Sequence, residues 1–232
     1  MARALGEVAE GRPPDEVVIG APNPEVIPYV EERLDSLGVT TRDGAGRELR
    51  RTAPYRLLTT LAELLGTGRW PAFTAFVRHP DVERWIDARI GGAPELSSGR
   101  LPGGGWLEAL DGWTNEHLPA DVPADYGARG FQGRTGLHGD AVAAVLRLAG
   151  QELIGPLADA PTRRPISAWG APVLHFLERT YGDHALDTGN PAQRELTRAL
   201  GEVAAAIQGW TGLPGAFDEN CDAGSALKLV LG

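Results

Sequence analysis

The chain contains one cysteine and one lysine, and these scarcities exclude several kinds of site. Cys221 alone can form neither an internal disulfide nor a four-cysteine zinc or iron–sulfur centre. Lys228, the only lysine, stands in no Asp/Glu-x-Lys triplet on a predicted strand, so the residues of a metal-dependent nuclease site of that kind are missing. The sequence also lacks G-x-x-x-x-G-K-[ST] and G-x-S-x-G, which excludes a phosphate loop for ATP hydrolysis and the nucleophile turn of serine hydrolases.

Acidic residues outnumber basic ones by 31 to 22, and the formal net charge is -9. Because affinity for nucleic acid comes mainly from neutralising phosphates with cations, this balance argues against a protein that coats DNA non-specifically. Any contact with DNA must therefore be local. We also find no apolar run of the length that crosses a membrane and no signal-peptide core after Met1, so we expect a cytoplasmic chain without a membrane partner.

Residues 17–41 have the pattern of a strand, a helix and a second strand. Val17–Ile19 is a short apolar run that ends at a Gly-Ala-Pro turn, and Asn23-Pro24-Glu25 has the cap, proline and acid that are typical of a helix start. Gly38 predicts the end of this helix. Residues 39–41 then predict the second strand.

Helical patterns dominate the rest of the chain. We expect eight helices. Three have predicted ends or caps: one begins at Thr52 and ends at Gly66, one is capped by Asp81 and runs to Ile90, and one runs from a cap at Asp140 to Leu148. The other five lie at Trp70–Val77, 106–118, 166–181, 190–207 and 226–231. Gly- and Pro-rich stretches at 91–105 and 119–136 predict surface loops. The expected fold class is therefore mainly α, a multi-helix bundle with a small N-terminal α/β element of one or two short strands.

Several of these segments together resemble the inactivated-helicase region of AddB-like subunits of bacterial helicase-nucleases. The resemblance rests on the strand–helix opening at 15–46, on Arg51–Leu58, on Phe73–Val82, and on 106–110 with 116–120. It implies that 1–46 is the start of a UvrD-like second motor domain and that 47–232 is its helical insertion, truncated at the C-terminus. It also implies a fragment of a larger subunit that processes double-strand DNA ends for recombinational repair, beside an active helicase-nuclease partner subunit.

One departure from the family decides what is carried over. Active helicases of this type place an arginine after the first strand, where it helps to hold nucleotide phosphate, whereas Ala21 and Pro22 stand here. We therefore expect no ATP contact, no catalytic residue, no cofactor and no metal in this chain, which leaves a non-catalytic scaffold that guides DNA.

The candidate DNA-contacting residues are five arginines in a short segment that contains only two acids, Asp43 and Glu48. The arginines are Arg42, Arg47, Arg50, Arg51 and Arg56. This local surplus of positive charge in an acidic chain predicts a small phosphate-contacting patch. The alternative is a solvated turn in which the arginines pair with nearby acids.

Two further interpretations remain open. A metal or acid–base site could be built from His138, Asp140, His175, Asp183 and His184, although helix caps and turns explain these residues as well. Alternatively, the chain is a helical protein-interaction module without a role in nucleic-acid binding. The tryptophans Trp70, Trp85 and Trp169 lie on apolar helix faces and predict core packing rather than base stacking, whereas the sequence does not place Trp106, Trp113 and Trp210.

Overall fold

The computed structural model describes residues 17–21, 23, 26–39, 49–93, 96, 101, 104–123, 126, 137–158, 163–182 and 190–232. Within these residues the protein is mainly helical, as the sequence predicts. The predicted boundary between residues 46 and 47 lies outside the described residues.

The described helices follow the apolar periodicity of the sequence closely. They are α1 (Ile27–Asp35), α2 (Ala53–Thr67), α3 (Trp70–Val77), α4 (Pro80–Ile90), α5 (Gly105–His117), α6 (Leu137–Val145), α7 (Gly155–Ala158), α8 (Gly170–Tyr181), α9 (Pro191–Gly209) and α10 (Ala223–Leu231). A π-helix at Leu146–Ile154 joins α6 to α7, and short 3-10 helices lie at Leu49–Arg51, Ile166–Trp169 and Trp210–Gly212.

The predicted strand at Val17–Ile19 is wrong. These residues have irregular backbone, and the Val18 side chain is 92% exposed. A strand needs a partner for its backbone hydrogen bonds, and no described residue pairs with this segment. Val39 is not in a strand either, and residues 40 and 41 lie outside the described part of the chain.

Helix α1 begins later than the sequence predicts and ends where it predicts. Its first residue is Ile27, and the N-cap residue is Val26, not Asn23. At the other end Gly38 has φ +73°, and the amide of Val39 donates to the carbonyl of Leu34 at 3.0 Å. Glycine tolerates this left-handed conformation, so the predicted stop at Gly38 is confirmed.

Helix α2 packs against three other helices. Its buried face is a row of leucines, Leu57, Leu58, Leu61 and Leu64, and the helix packs against α3, α9 and α10. It ends at Gly68, which has φ +62° and donates its amide to the Leu64 carbonyl at 2.8 Å. The predicted stop at Gly66 is therefore wrong by one half-turn, because only Gly68 takes up the left-handed conformation.

The only strands in the described residues come from distant parts of the chain. β1 (Arg164–Pro165) pairs antiparallel with β2 (Asn220–Cys221), with Arg164 opposite Cys221. Each strand has two residues, too few to give an alternating pattern in the sequence. The pairing holds the start of α8 against the segment that leads into α10.

One helix of the described part, His138–Ala158, is long and apolar enough to cross a membrane by length and composition, so the expectation that no such stretch exists is wrong. However, 67% of its most apolar window is buried inside the protein. Core packing therefore explains its composition. Arg147 and Glu152 interrupt the run and bond each other, which hides its length in the sequence.

The predicted cap of this helix is wrong. Helical residues begin at Leu137 and continue past the predicted end at Leu148, so Asp140 lies in the first turn and does not cap the helix.

A close approach between α2 and α10 depends on a glycine. A Cβ atom at Gly224 would lie 3.0 Å from both the Ala62 carbonyl oxygen and the Gly66 amide nitrogen. We expect Gly224→Val to lower the free energy of unfolding by about 1–3 kcal/mol, because backbone atoms of a packed helix must move. The same substitution at the exposed helical Gly201, where a Cβ meets nothing within 4 Å, should change it by less than about 0.5 kcal/mol. Urea unfolding of both variants tests this, and equal effects would contradict a tight α2–α10 contact.

Candidate functional site

Three of the five predicted arginines lie in the described residues, and all three are exposed. Arg50 and Arg51 are in the short 3-10 helix, and Arg56 is in the first turn of α2. Residues 49–56 contain no acidic side chain, and within the described part of the chain none of the three arginines forms an ion pair. Arg42, Arg47, Asp43 and Glu48 lie outside the described residues, so the pairing of arginines with nearby acids stays untested.

Thr52 fixes the backbone between the arginines. Its amide and its hydroxyl both donate to the carbonyl of Leu49, at 3.0 and 2.6 Å, and its own carbonyl accepts from the amide of Arg56 at 3.2 Å. Thr52 itself is buried. The arginines therefore project from backbone that is hydrogen-bonded on both sides of Thr52.

The beginning of helix α4 lies close to the beginning of α2, and His79 connects them. His79 is the N-cap residue of α4, because its Nδ1 accepts from the amide of Asp81 at 3.3 Å. The predicted cap, Asp81, instead lies in the first turn. The sequence contained the signal that we missed: a proline at position 80 suits the first helical position, which makes residue 79 the cap.

The carboxylate of Asp81 is buried and has two partners. Its Oδ1 accepts from Arg84 Nη2 at 2.6 Å, and its Oδ2 accepts from the Tyr181 hydroxyl at 2.7 Å. Burial, followed by the charge of Asp81 and the hydrogen bond to it, raises the pKa of Tyr181 well above its usual range. Tyr181 is therefore a neutral donor that ties the end of α8 to the start of α4.

Charges from both helices act on His79. Burial lowers the pKa of His79, the charges of Arg56 and Arg84 lower it further, and Asp81 and the carbonyl of Ala53 oppose these effects. The imidazole is therefore near the backbone of Ala53, which accepts a hydrogen bond from it, and within reach of the charges of Arg56 and Arg84. Arg84, whose side chain is 47% exposed and bonds Asp81, is a further arginine near His79 that the sequence did not mark.

The residues proposed for a metal site do not form one in the described part of the protein. No group of three or more His, Cys, Asp or Glu side chains is placed there to hold a metal ion. His175 lies on the surface of α8, with its Nδ1 3.8 Å from Glu178 Oε2. Asp183 and His184 lie outside the described residues.

The thiol and the tryptophans also have surroundings that favour structural roles. Burial, followed by the charge of Asp222, raises the pKa of Cys221, which disfavours the reactive thiolate. The predicted core positions of Trp70, Trp85 and Trp169 are confirmed, and the other three tryptophans are buried as well. None of the six therefore offers an exposed face on which a base could stack.

Comparison of this chain with known protein families, with curated proteins and with solved structures found no match.

Proposed function

We propose that this chain is a non-catalytic scaffold and DNA-guiding portion of an AddB-like helicase-nuclease subunit, which acts in processing of double-strand DNA ends beside an active helicase-nuclease partner. The observation that carries the proposal is the group of exposed arginines at 50, 51 and 56, because residues 49–56 contain no acid. The chain as a whole has a net charge of -9 and repels a phosphate backbone, whereas these exposed arginines attract it.

The surroundings of the arginines suit a guiding role. Their backbone is held by Thr52 and by the buried face of α2, so binding would not first have to order the segment. All six tryptophans are buried, which favours contact with the sugar-phosphate backbone over stacking on bases. We therefore expect weak, local, salt-sensitive binding with little preference for base sequence.

Fluorescence anisotropy with a single-stranded oligonucleotide and a duplex–single-strand junction, at low and moderate salt, tests this proposal. Each phosphate contact contributes about 0.7 to the slope of log K against log salt for single strands. We expect the variant with Arg50, Arg51 and Arg56 all replaced by Gln to bind more weakly, with a slope reduced by about 2.

A matched control removes the same charge elsewhere. Arg69, Arg194 and Arg198 are also exposed, and they lie beyond the end of α2 and on α9. Their replacement by Gln should leave the salt slope unchanged. If both triple variants lose affinity equally, the patch has no special role and only the net charge matters.

A protein-interaction module is a second candidate, favoured by exposed apolar side chains around α1. Tyr29 is 72% exposed, Leu37 49% and Val26 42%, and Val18 in the preceding segment is 92% exposed. Exposed apolar residues that are close together mark contact sites more often than isolated ones do. The same titration separates the two candidates, because an interaction module without a nucleic-acid role would bind neither DNA probe even at low salt.

A further inference from the structure

A groove of about 220 Å³ lies between α2 and α10. The two helices run antiparallel and touch at both ends of α10. Gly224, at its start, approaches the backbone of Ala62 and Gly66, and the Tyr55 hydroxyl donates to the carbonyl of Leu231, at its end, at 3.0 Å. The face that carries the groove is therefore fixed before any partner binds, which lowers the entropic cost of binding.

Two charged side chains on this groove are unpaired within the described part of the chain. Glu63 of α2 and Lys228 of α10 are both exposed and line the groove, and neither has an ion pair or a side-chain hydrogen bond among those residues. The hydroxyls of Thr59 and Thr67, which also line it, donate within α2 to the carbonyls of Tyr55 and Glu63, at 2.9 and 2.8 Å. The groove thus offers a partner one acid and the only lysine of the chain.

Apolar side chains lie beside these charges. Leu229, next to Lys228, is 56% exposed, and Leu231 lines the groove. Protein–protein interfaces commonly have apolar contacts at the centre and charged groups at the rim. The charges then set the orientation of the partner, and burial of the apolar groups provides most of the affinity.

We propose that the α2–α10 groove is the contact surface of a two-fold symmetric dimer of this chain, in which Glu63 of each copy pairs with Lys228 of the other. In a two-fold contact the same patch of both copies meets, so a patch with one acid and one cation is complementary to itself. A purely acidic or purely basic partner would leave one of the two charges unpaired. The dimer forms without DNA and does not depend on the proposed DNA contact.

Sedimentation equilibrium of the unaltered chain, over about 1 to 100 µM, measures this dimer, for which we expect a Kd on the order of 10 µM. Glu63→Lys and Lys228→Glu each place like charges opposite each other at two points of the dimer. Each should raise the Kd at least about tenfold. Glu32→Lys, at an exposed acid of α1, makes the same change in net charge and should leave the Kd within about twofold. A chain that is monomeric at every concentration would overturn the proposal.

Mixing the two single variants tests the symmetry itself. In a mixed dimer the new lysine of one copy faces the new glutamate of the other, and the original Lys228 and Glu63 face each other. We expect the mixture to dimerise with a Kd within about threefold of that of the unaltered chain, although neither variant dimerises well alone. Mixing cannot restore an attraction between the two side chains of a single chain. If the mixture stays monomeric, Glu63 and Lys228 do not pair between copies and the proposal is wrong.

Leu229→Gln tests the apolar part of the contact. It should raise the Kd by about tenfold, because the dimer loses two buried leucines. Leu118→Gln is the matched control, since this leucine is 79% exposed at the end of α5, and it should not change the Kd. Both positions are exposed, so urea unfolding should show that the variants are folded. A dimer that Leu229→Gln and both charge reversals leave intact uses another face of the protein, and the groove is then not its contact surface.

Discussion

Replacing Asp81 with Ala should lower the free energy of unfolding by about 3 kcal/mol, one of the two largest effects that we expect. The carboxylate accepts one hydrogen bond from the Tyr181 hydroxyl and one from Arg84, and hydrogen bonds to a charged group contribute about 1.5–3 kcal/mol each. The Arg84 side chain is 47% exposed, so water screens its bond to Asp81 and this bond contributes less than the bond from Tyr181. Urea unfolding measures the loss.

A double-mutant cycle with Tyr181→Phe isolates the contact between α4 and α8. We expect a coupling energy of about 1–2 kcal/mol, because each single substitution already breaks the same hydrogen bond. Glu83→Ala is the control within α4, since this acid also lies in the first turn but lacks the Tyr181 contact, and it should cost less than about 1 kcal/mol. Additive effects of Asp81→Ala and Tyr181→Phe would show that the hydrogen bond does not hold the two helices together.

The second large effect is expected at Trp169, which joins three parts of the fold. Its side chain is 1% exposed, its Nε1 donates to the carbonyl of Cys221 at 3.1 Å, and the guanidinium carbon of Arg164 lies 3.7 Å from its ring centre. Trp169→Ala removes the volume of the ring, the hydrogen bond to Cys221 in β2 and the surface on which Arg164 stacks. We expect it to cost about 3–5 kcal/mol of unfolding free energy.

Trp169→Phe provides the graded control for that experiment. It keeps an aromatic ring in the core and below Arg164, and loses mainly the Nε1 donor and part of the volume. We expect a cost of about 1–2 kcal/mol, measured by thermal and urea unfolding. If Phe costs as much as Ala, the hydrogen bond to Cys221 and not the packing dominates, and the core role assigned to the ring is wrong.

The helices could be predicted because their signals are local. The leucines of α2 repeat on one face from Leu57 to Leu64, and glycine at 38 ends α1 because few other residues adopt its backbone conformation. The cap of α10 could also have been found, since Asp222 stands three residues before Ser225, whose amide and hydroxyl both donate to it.

Other predictions were wrong, and some features were missed, because they depend on residues that are far apart in the sequence. Val17–Ile19 has the composition of a strand, but composition cannot supply a neighbouring strand. The true strands, β1 and β2, are two residues long and 56 residues apart, so only the packing of α8 and α10 brings them together. The long apolar helix at 138–158 continues past its predicted end at Leu148, and Arg147 and Glu152, two charged residues that bond each other, interrupt its apolar pattern.

The sequence by itself determined the helical class, the apolar faces and the group of arginines before α2, because periodicity and local charge are properties of neighbouring residues. Only the tertiary structure decided that His79 comes near Ala53 at the start of α2 and that Asp81 is held by Tyr181, 100 residues away. The physical reason is that burial and electrostatic fields depend on distance in space, which a single sequence records only where the chain is locally regular.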